Sequence, residues 1–257
     1  GNVGFALGPM FAVFLLSFSG LDSIYGFIFP CLLVALVFLY LSPRFNRIMK
    51  EYIIERKARE EVEAKDSRNE KTKIAGLLIL MLYVAVRSWI QSGLVYFIPF
   101  YFPAFKGISE PEYLLTIFLV AGVAGTLIGG PFADRFGGRK GLLVSMAISL
   151  FAVFPFVHFS GHWISVFAFI SGTAIISTFS ITIVLAQRLM PGNVGLASGL
   201  VLGFAVGMGS IGVSILGLVA DYAGLPFVMN ILCVLPVAGI GLAFLLPKEK
   251  VVQGSAR

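Results

Sequence analysis

Gly130-Pro131-Phe132-Ala133-Asp134-Arg135-Phe136-Gly137-Gly138-Arg139-Lys140 places one acid, three bases and three glycines at the end of an almost wholly apolar run. A soluble core segment has no reason to end that way. A membrane helix that turns sharply at the cytoplasmic surface and pins itself to a neighbour does.

The rest of the chain agrees with a bilayer setting. Apolar residues make up 58% of the 257 positions and charged residues 12%, whereas soluble domains run near a quarter charged. The mean hydropathy is +0.95. A roughly 30 Å hydrocarbon core needs about 20 apolar residues per crossing. Eight runs approach or exceed that length: 1–19, 24–41, 74–102, 113–132, 141–159, 163–187, 197–220 and 226–246. Lipid supplies no hydrogen-bond partners, so each run is read as a helix that satisfies its own backbone. Barrel strands would be half as long and would alternate polar with apolar residues. The expected fold class is an all-α polytopic membrane protein.

Charge placement sets the topology. The polar segment 44–73 carries ten of the nineteen Lys and Arg, with seven acids interleaved. Arg135, Arg139 and Lys140 follow the fourth run, Arg188 the sixth, and Lys248, Lys250 and Arg257 the eighth. Seventeen bases therefore fall on one side, against Lys106 on the other and Arg87 inside a run. The positive-inside rule makes the basic side cytoplasmic, with both ends of the chain there and four short outer loops. The expected location is the inner (plasma) membrane. The net charge of +6 is a topology signal, and no nucleic-acid partner is expected. Segment 44–73 mixes acids and bases at helical spacing, as a solvated or interfacial linker helix does.

The first residues already have the pattern of a helix interior. Gly1, Gly4 and Gly8, followed by Pro9, form a small-residue packing motif that lets another helix approach closely. A repeat points the same way. Shifted by about 204 positions, Gly8 falls on Gly212, Gly20-Leu21 on Gly224-Leu225, and Pro43 on Pro247. The first helix pair thus matches the last, as in transporters built from two parallel six-helix repeats. The expected organisation is 1–43 as the last two helices of one half, 44–73 as a cytoplasmic linker, 74–247 as a complete six-helix half, and 248–257 as a tail. By subtraction, about 130 residues and four helices would precede residue 1 if the halves match.

Residues 130–140 resemble the loop 8–9 signature of the major facilitator superfamily, G-x-L-A-D-R-x-G-R-R-K. Phe132 stands in place of the usual Leu, and Gly138 in place of the first base of the basic run. Gly1-x-x-Gly4-x-x-x-Gly8-Pro9 is similar to the fifth-helix G-P motif of drug-exporting members, and the wording around it to the fosmidomycin-resistance branch. The resemblance covers the whole chain as helices five to twelve, eight of an expected twelve. It implies that Gly130, Asp134, Arg135, Gly137, Arg139 and Lys140 form a conformational latch that breaks when two bundles rock apart. The residues fit such a role. A carboxylate at a membrane edge needs partners, and Asp134 has a neighbouring helix N-terminus and Arg135 or Arg139 as candidates. Gly130 and Gly137 are expected to allow close approach and a tight turn.

Arg87 is the sharpest candidate for substrate chemistry. It lies mid-run, where an unpaired base costs about 2.5–3.5 kcal/mol on insertion scales. Tyr83, Arg87 and Gln91 follow at i+4 spacing, giving one polar stripe expected to face a water-filled cavity. A guanidinium there can grip a phosphonate or carboxylate through two parallel hydrogen bonds. The competing reading is a structural pair with a carboxylate elsewhere, since no acid occurs mid-membrane in these residues. Thr173 and Ser177, with Ser180 and Gln187, recur along the sixth run. Such hydroxyls line a polar path or bond to backbone carbonyls, and structural use is the expectation for most. The glycines of the seventh run, from Gly199 to Gly217, suggest close packing and bending.

Other features carry less. His158 and His162 flank an outer loop without a third ligand, so no metal site is expected. Cys31 and Cys233 sit in apolar runs as small hydrophobes. No phosphate-binding G-x-x-x-x-G-K loop is present, and no cofactor or enzymatic role is expected. Trp89 and Trp163 read as lipid-facing or interfacial. The expected function is secondary active transport by alternating access, as proton-coupled efflux of drugs or small anionic compounds. A proton is the expected coupling ion, carried on an acid outside these residues. The alternatives are uptake of an organic anion or sugar phosphate, and a non-transporting helical membrane protein.

Overall fold

The computed structural model describes residues 25–26, 28–29, 31–41, 70–190 and 193–247, without the side chains of 70–73 and 134. The expected first span with Gly1, Gly4, Gly8 and Pro9, most of the 44–73 linker, and the 248–257 tail lie outside the described residues. Every regular element among the described residues is helical. They fall into two compact units, divided at residues 70 and 71.

The first unit contributes one described helix, α1 (Cys31–Leu41). The second holds six: α2 (Glu70–Lys106), α3 (Glu112–Phe136), α4 (Gly138–His158), α5 (Trp163–Leu189), α6 (Val194–Ala223) and α7 (Leu225–Leu245). All six are long and apolar enough to cross a membrane. Even the shortest, at 21 residues, spans about 31 Å at 1.5 Å per residue. Prolines lie inside α2, α3, α4 and α7, as membrane helices tolerate where neighbours re-satisfy the freed carbonyls.

The helices outrun the apolar stretches that announce them. The fourth run ends at Phe132 by hydropathy, yet α3 continues to Phe136 and α4 begins at Gly138. Asp134 and Arg135 are thus in the last turn of α3, and Arg139 and Lys140 in the first turn of α4. The connection between them is Gly137 alone. Its φ of 92° and ψ of 141° are the reason it is glycine, since a side chain there would be strained. Its N–H donates to the Ala133 carbonyl at 2.9 Å.

Lipid tails are as apolar as the side chains, so small residues and interhelical hydrogen bonds hold such bundles together. The α3–α5 crossing is the tightest. Gly122, Gly125 and Gly129 of α3 and Gly172 of α5 leave no room for a Cβ. One at Gly129 would sit 2.5 Å from the Ser177 carbonyl oxygen, one at Gly125 against the Thr173 carbonyl, and one at Gly172 against the Phe118 carbonyl. Helix α4 packs on α5 and α7, and α6 on α5 and α7. Helix α2 closes the bundle through Gly93 against Leu232 of α7, and Ser92 and Trp89 against Gly209 and Gly212 of α6. Tyr83, Phe102, Phe118 and Phe156 are wholly buried inside it.

Candidate substrate site and latch

Helix α2 carries its charge deep inside the bundle. Arg87 is 3% exposed, and its guanidinium carbon lies 5.2 Å from the centroid of the Phe179 ring on α5. That face contact attracts a cation through the ring quadrupole but leaves the in-plane N–H groups unused. Among the described residues, Nε and Nη1 have no hydrogen-bond partner. The Ser88 hydroxyl, the Trp89 indole nitrogen and the Gln91 amide oxygen are in the same condition. Five unsatisfied polar atoms within two turns of one helix is more than a packed interior tolerates without a ligand or water.

The expected stripe divides. Tyr83 is fully buried, its hydroxyl 3.5 Å from the Leu142 carbonyl of α4 and beside Thr178 of α5. Arg87 sits one turn further along, and both are buried within this unit rather than facing an open cavity. Gln91 alone reaches open space. It lines a cleft of about 560 Å³ between α2 and α6, with Ser92, Tyr96, Phe100, Gly209 and Ser210. Ser88 carries no signal in the sequence, and Trp89 reads there as lipid-facing or interfacial. Trp89 lies against Gly212 of α6 and is not lipid-facing, because the glycine gives its ring a seat. Trp163 is 65% exposed.

Thr173 and Ser177 are elsewhere. The Thr173 hydroxyl donates to the Ala121 carbonyl of α3 at 3.2 Å. The Ser177 hydroxyl donates to Ala174 at 2.8 Å and lies 3.0 Å from the Ser145 hydroxyl of α4. Ser180 bonds the Thr126 carbonyl, and the Gln187 amide the Ser198 hydroxyl of α6. These groups tie helices together. At 100° per residue, Ser177 and Phe179 are about 200° apart around α5, so Thr173 and Ser177 are not brought to Arg87. They floor a separate groove of about 340 Å³ between α3 and α4, walled by Ile128, Phe132, Val144, Ile148 and Phe169.

The charged turn is equally specific. Arg139 donates from Nη2 to the Phe244 carbonyl at 2.6 Å, capping the last turn of α7, where a cation opposes the negative end of the helix dipole. Arg135 lies over the Phe136 ring, 5.5 Å from its centroid, and Lys140 is exposed. The Asp134 side chain lies outside the described residues. Gly130 was expected to allow close approach, but a Cβ there would meet nothing within 4 Å among the described residues. Its neighbour Gly129 is the close-approach position. The three glycines of α3 were missed, although Gly-x-x-Gly-x-x-x-Gly is legible at 122–129. Of the α6 glycines, Gly209 and Gly212 pack against α2, while a Cβ at Gly199, Gly203, Gly207 or Gly217 would meet nothing within 4 Å among the described residues.

Known proteins place this architecture. Residues 1–200 match the family description Major Facilitator Superfamily. The chain is 31% identical over 251 residues to the fosmidomycin resistance protein of Escherichia coli (strain K12), covering 95% of this chain and 60% of that protein. It is 34% identical over 256 residues to the uncharacterized MFS-type transporter YfnC of Bacillus subtilis (strain 168), covering 97% and 61%. The chain therefore spans about three fifths of the length of these relatives. A multi-pass helical bundle and a family match over most of its length agree: this chain belongs to the Major Facilitator Superfamily, in the neighbourhood of its fosmidomycin-resistance branch.

Proposed function

We propose that the full-length protein is a secondary active transporter that works by alternating access and exports small anionic compounds in exchange for protons. The observation that carries this reading is Arg87, buried within a span, with Nε and Nη1 unpartnered among the described residues. Unpaired guanidinium N–H donors are what a carboxylate, phosphate or phosphonate accepts from in a charge-assisted hydrogen bond. Gln91, one turn toward the outer cleft, supplies a carbonyl for a substrate hydroxyl or amide. Tyr83 buttresses the arginine from the cytoplasmic side, and Thr173 and Ser177 brace α5 behind it. The fosmidomycin resistance protein's name supports an anionic substrate of phosphonate type. Residues 74–247 then form one half of the transporter and 1–43 part of the other, joined by the 44–73 linker, with both chain ends in the cytoplasm. The α3–α4 turn is the latch between the halves, with Asp134 as the engaging group.

Counterflow into liposomes holding the full-length protein tests this. Labelled phosphonate should accumulate, and Arg87→Lys should reduce its flux about tenfold or more while a neutral substrate is spared, since a charge-assisted hydrogen bond contributes roughly 1.5–3 kcal/mol. Equal loss for neutral and anionic substrates would refute the anion role. Flux without dependence on an imposed proton gradient would refute the coupling. Accumulation only with an inward proton gradient would reassign the direction to uptake.

A further inference from the structure

The groove between α3 and α4 lies apart from the proposed transport path, and its construction says what fills it. Helices α3 and α4 meet at the one-residue turn and diverge from it, with α5 behind them. The resulting wedge has its apex at Phe132, where a Cβ on Gly141 would lie 3.6 Å away. It runs up α5 from Ile181 to Phe169, twelve residues or about 18 Å. That is close to one leaflet of a roughly 30 Å hydrocarbon core. The walls are apolar and open outward: Ile128 is 59% exposed, Ile148 44% and Phe169 47%. The three hydroxyls at the floor already have partners in Ala121, Ala174 and each other. A polar ligand would gain nothing from them, whereas a hydrocarbon chain leaves no polar group unpaired.

Among the described residues the groove lining carries no charge, and the charged side chains next to it lie at the apex. The Phe132 and Phe136 rings lie with centroids 4.7 Å apart, tilted by 38°, and the Arg135 guanidinium covers Phe136 at 5.5 Å. Lys140 is exposed on the adjoining first turn of α4. The apolar slot thus ends, at the cytoplasmic face, in two cations. We propose that this groove holds one acyl chain of an anionic phospholipid, with the headgroup phosphate met by Arg135 and Lys140. Basic residues at a membrane surface attract anionic headgroups, and the slot converts that diffuse attraction into a site.

Native mass spectrometry of the full-length protein, purified with equimolar phosphatidylglycerol and phosphatidylcholine, tests the proposal. The wild type should retain one phosphatidylglycerol, about tenfold over phosphatidylcholine. Arg135→Gln with Lys140→Gln should bring the two lipids to near parity. Ile148→Trp, or Ile128→Trp on the opposite wall should the first not fold, should abolish retention of both. Leu218→Trp, at an exposed site on α6, should leave retention at the wild-type level. Equal retention of both lipids by the wild type would overturn the proposal. So would wild-type lipid counts in both groove-filling variants. A dimer that Ile148→Trp converts to monomer at constant lipid count would assign the groove to a second copy, and would equally overturn it.

Discussion

A guanidinium held over a phenyl ring is attracted by the ring without using a hydrogen bond, which leaves its N–H groups for another partner. Arg87 is in this position over Phe179, and each half of the arrangement can be removed separately. Phe179→Leu should keep the arginine but lose the ring attraction, an effect of about 0.5–2 kcal/mol. The expected result is several-fold weaker binding of an anionic substrate, measured by isothermal titration of the full-length protein, with insertion unchanged. Arg87 was legible in the sequence because one charge stands out in an apolar run. Phe179 was not, since 25 phenylalanines make any one of them anonymous. The same limit applied to Thr173 and Ser177. A hydroxyl that bonds a carbonyl on the next helix and one that faces a substrate have identical sequence spacing. Gly137 makes a contrasting case: its φ of 92° demands glycine through backbone sterics alone. Gly137→Ala should destabilise the protein by about 1–3 kcal/mol, read as a lowered unfolding midpoint in detergent.

Helix pairs are governed by which face a small residue occupies. Gly125 and Gly130 are both glycines in α3, yet they answer to opposite rules. At Gly125 a Cβ would collide with the Thr173 backbone, which cannot move aside, whereas at Gly130 it would meet open space. Gly125→Leu should therefore separate α3 from α5 and cost more than the roughly 1–3 kcal/mol typical of overpacking. Gly130→Ala should be neutral or stabilising by up to about 1 kcal/mol, from helix propensity. Thermal unfolding of both variants in the same detergent would expose the opposite signs, and equal shifts would contradict this packing. Sequence reading placed the six helices of the second unit because hydropathy reports length and burial in lipid. It missed the α3–α5 seam because glycine spacing does not say which of two faces meets a neighbour. The ends of α3 and α4 escaped it for another reason. Hydropathy stops at the first charge, whereas a helix continues while its backbone hydrogen bonds are satisfied.

For the whole molecule, the charged turn joins parts that are distant in sequence. Arg139 fastens the start of α4 to the end of α7 through the Phe244 carbonyl, 105 residues away. Asp134, on the preceding helical turn, is left as the latch group in our proposal. Asp134→Asn should insert at the wild-type level but reduce transport by at least about tenfold, as counterflow by the full-length protein would reveal. Unchanged flux would end the latch idea. The six membrane-length helices of the second unit were legible from the spacing of apolar runs. What faces what across the bundle was not, because hydropathy and charge carry no information about rotation around a helix axis.

The single-residue connection has one more consequence, for proteases. Arg135, Arg139 and Lys140 would be three cleavage points for a trypsin-like enzyme if they lay in a loop. They lie instead in the last turn of α3 and the first turn of α4, separated by Gly137. Such an enzyme needs an extended stretch of exposed chain, of the kind found at loop tips. On the topology proposed above, membrane vesicles with their cytoplasmic face outward should therefore keep these three bonds intact under digestion. A basic cluster on an accessible surface would be silent to the enzyme best suited to read it.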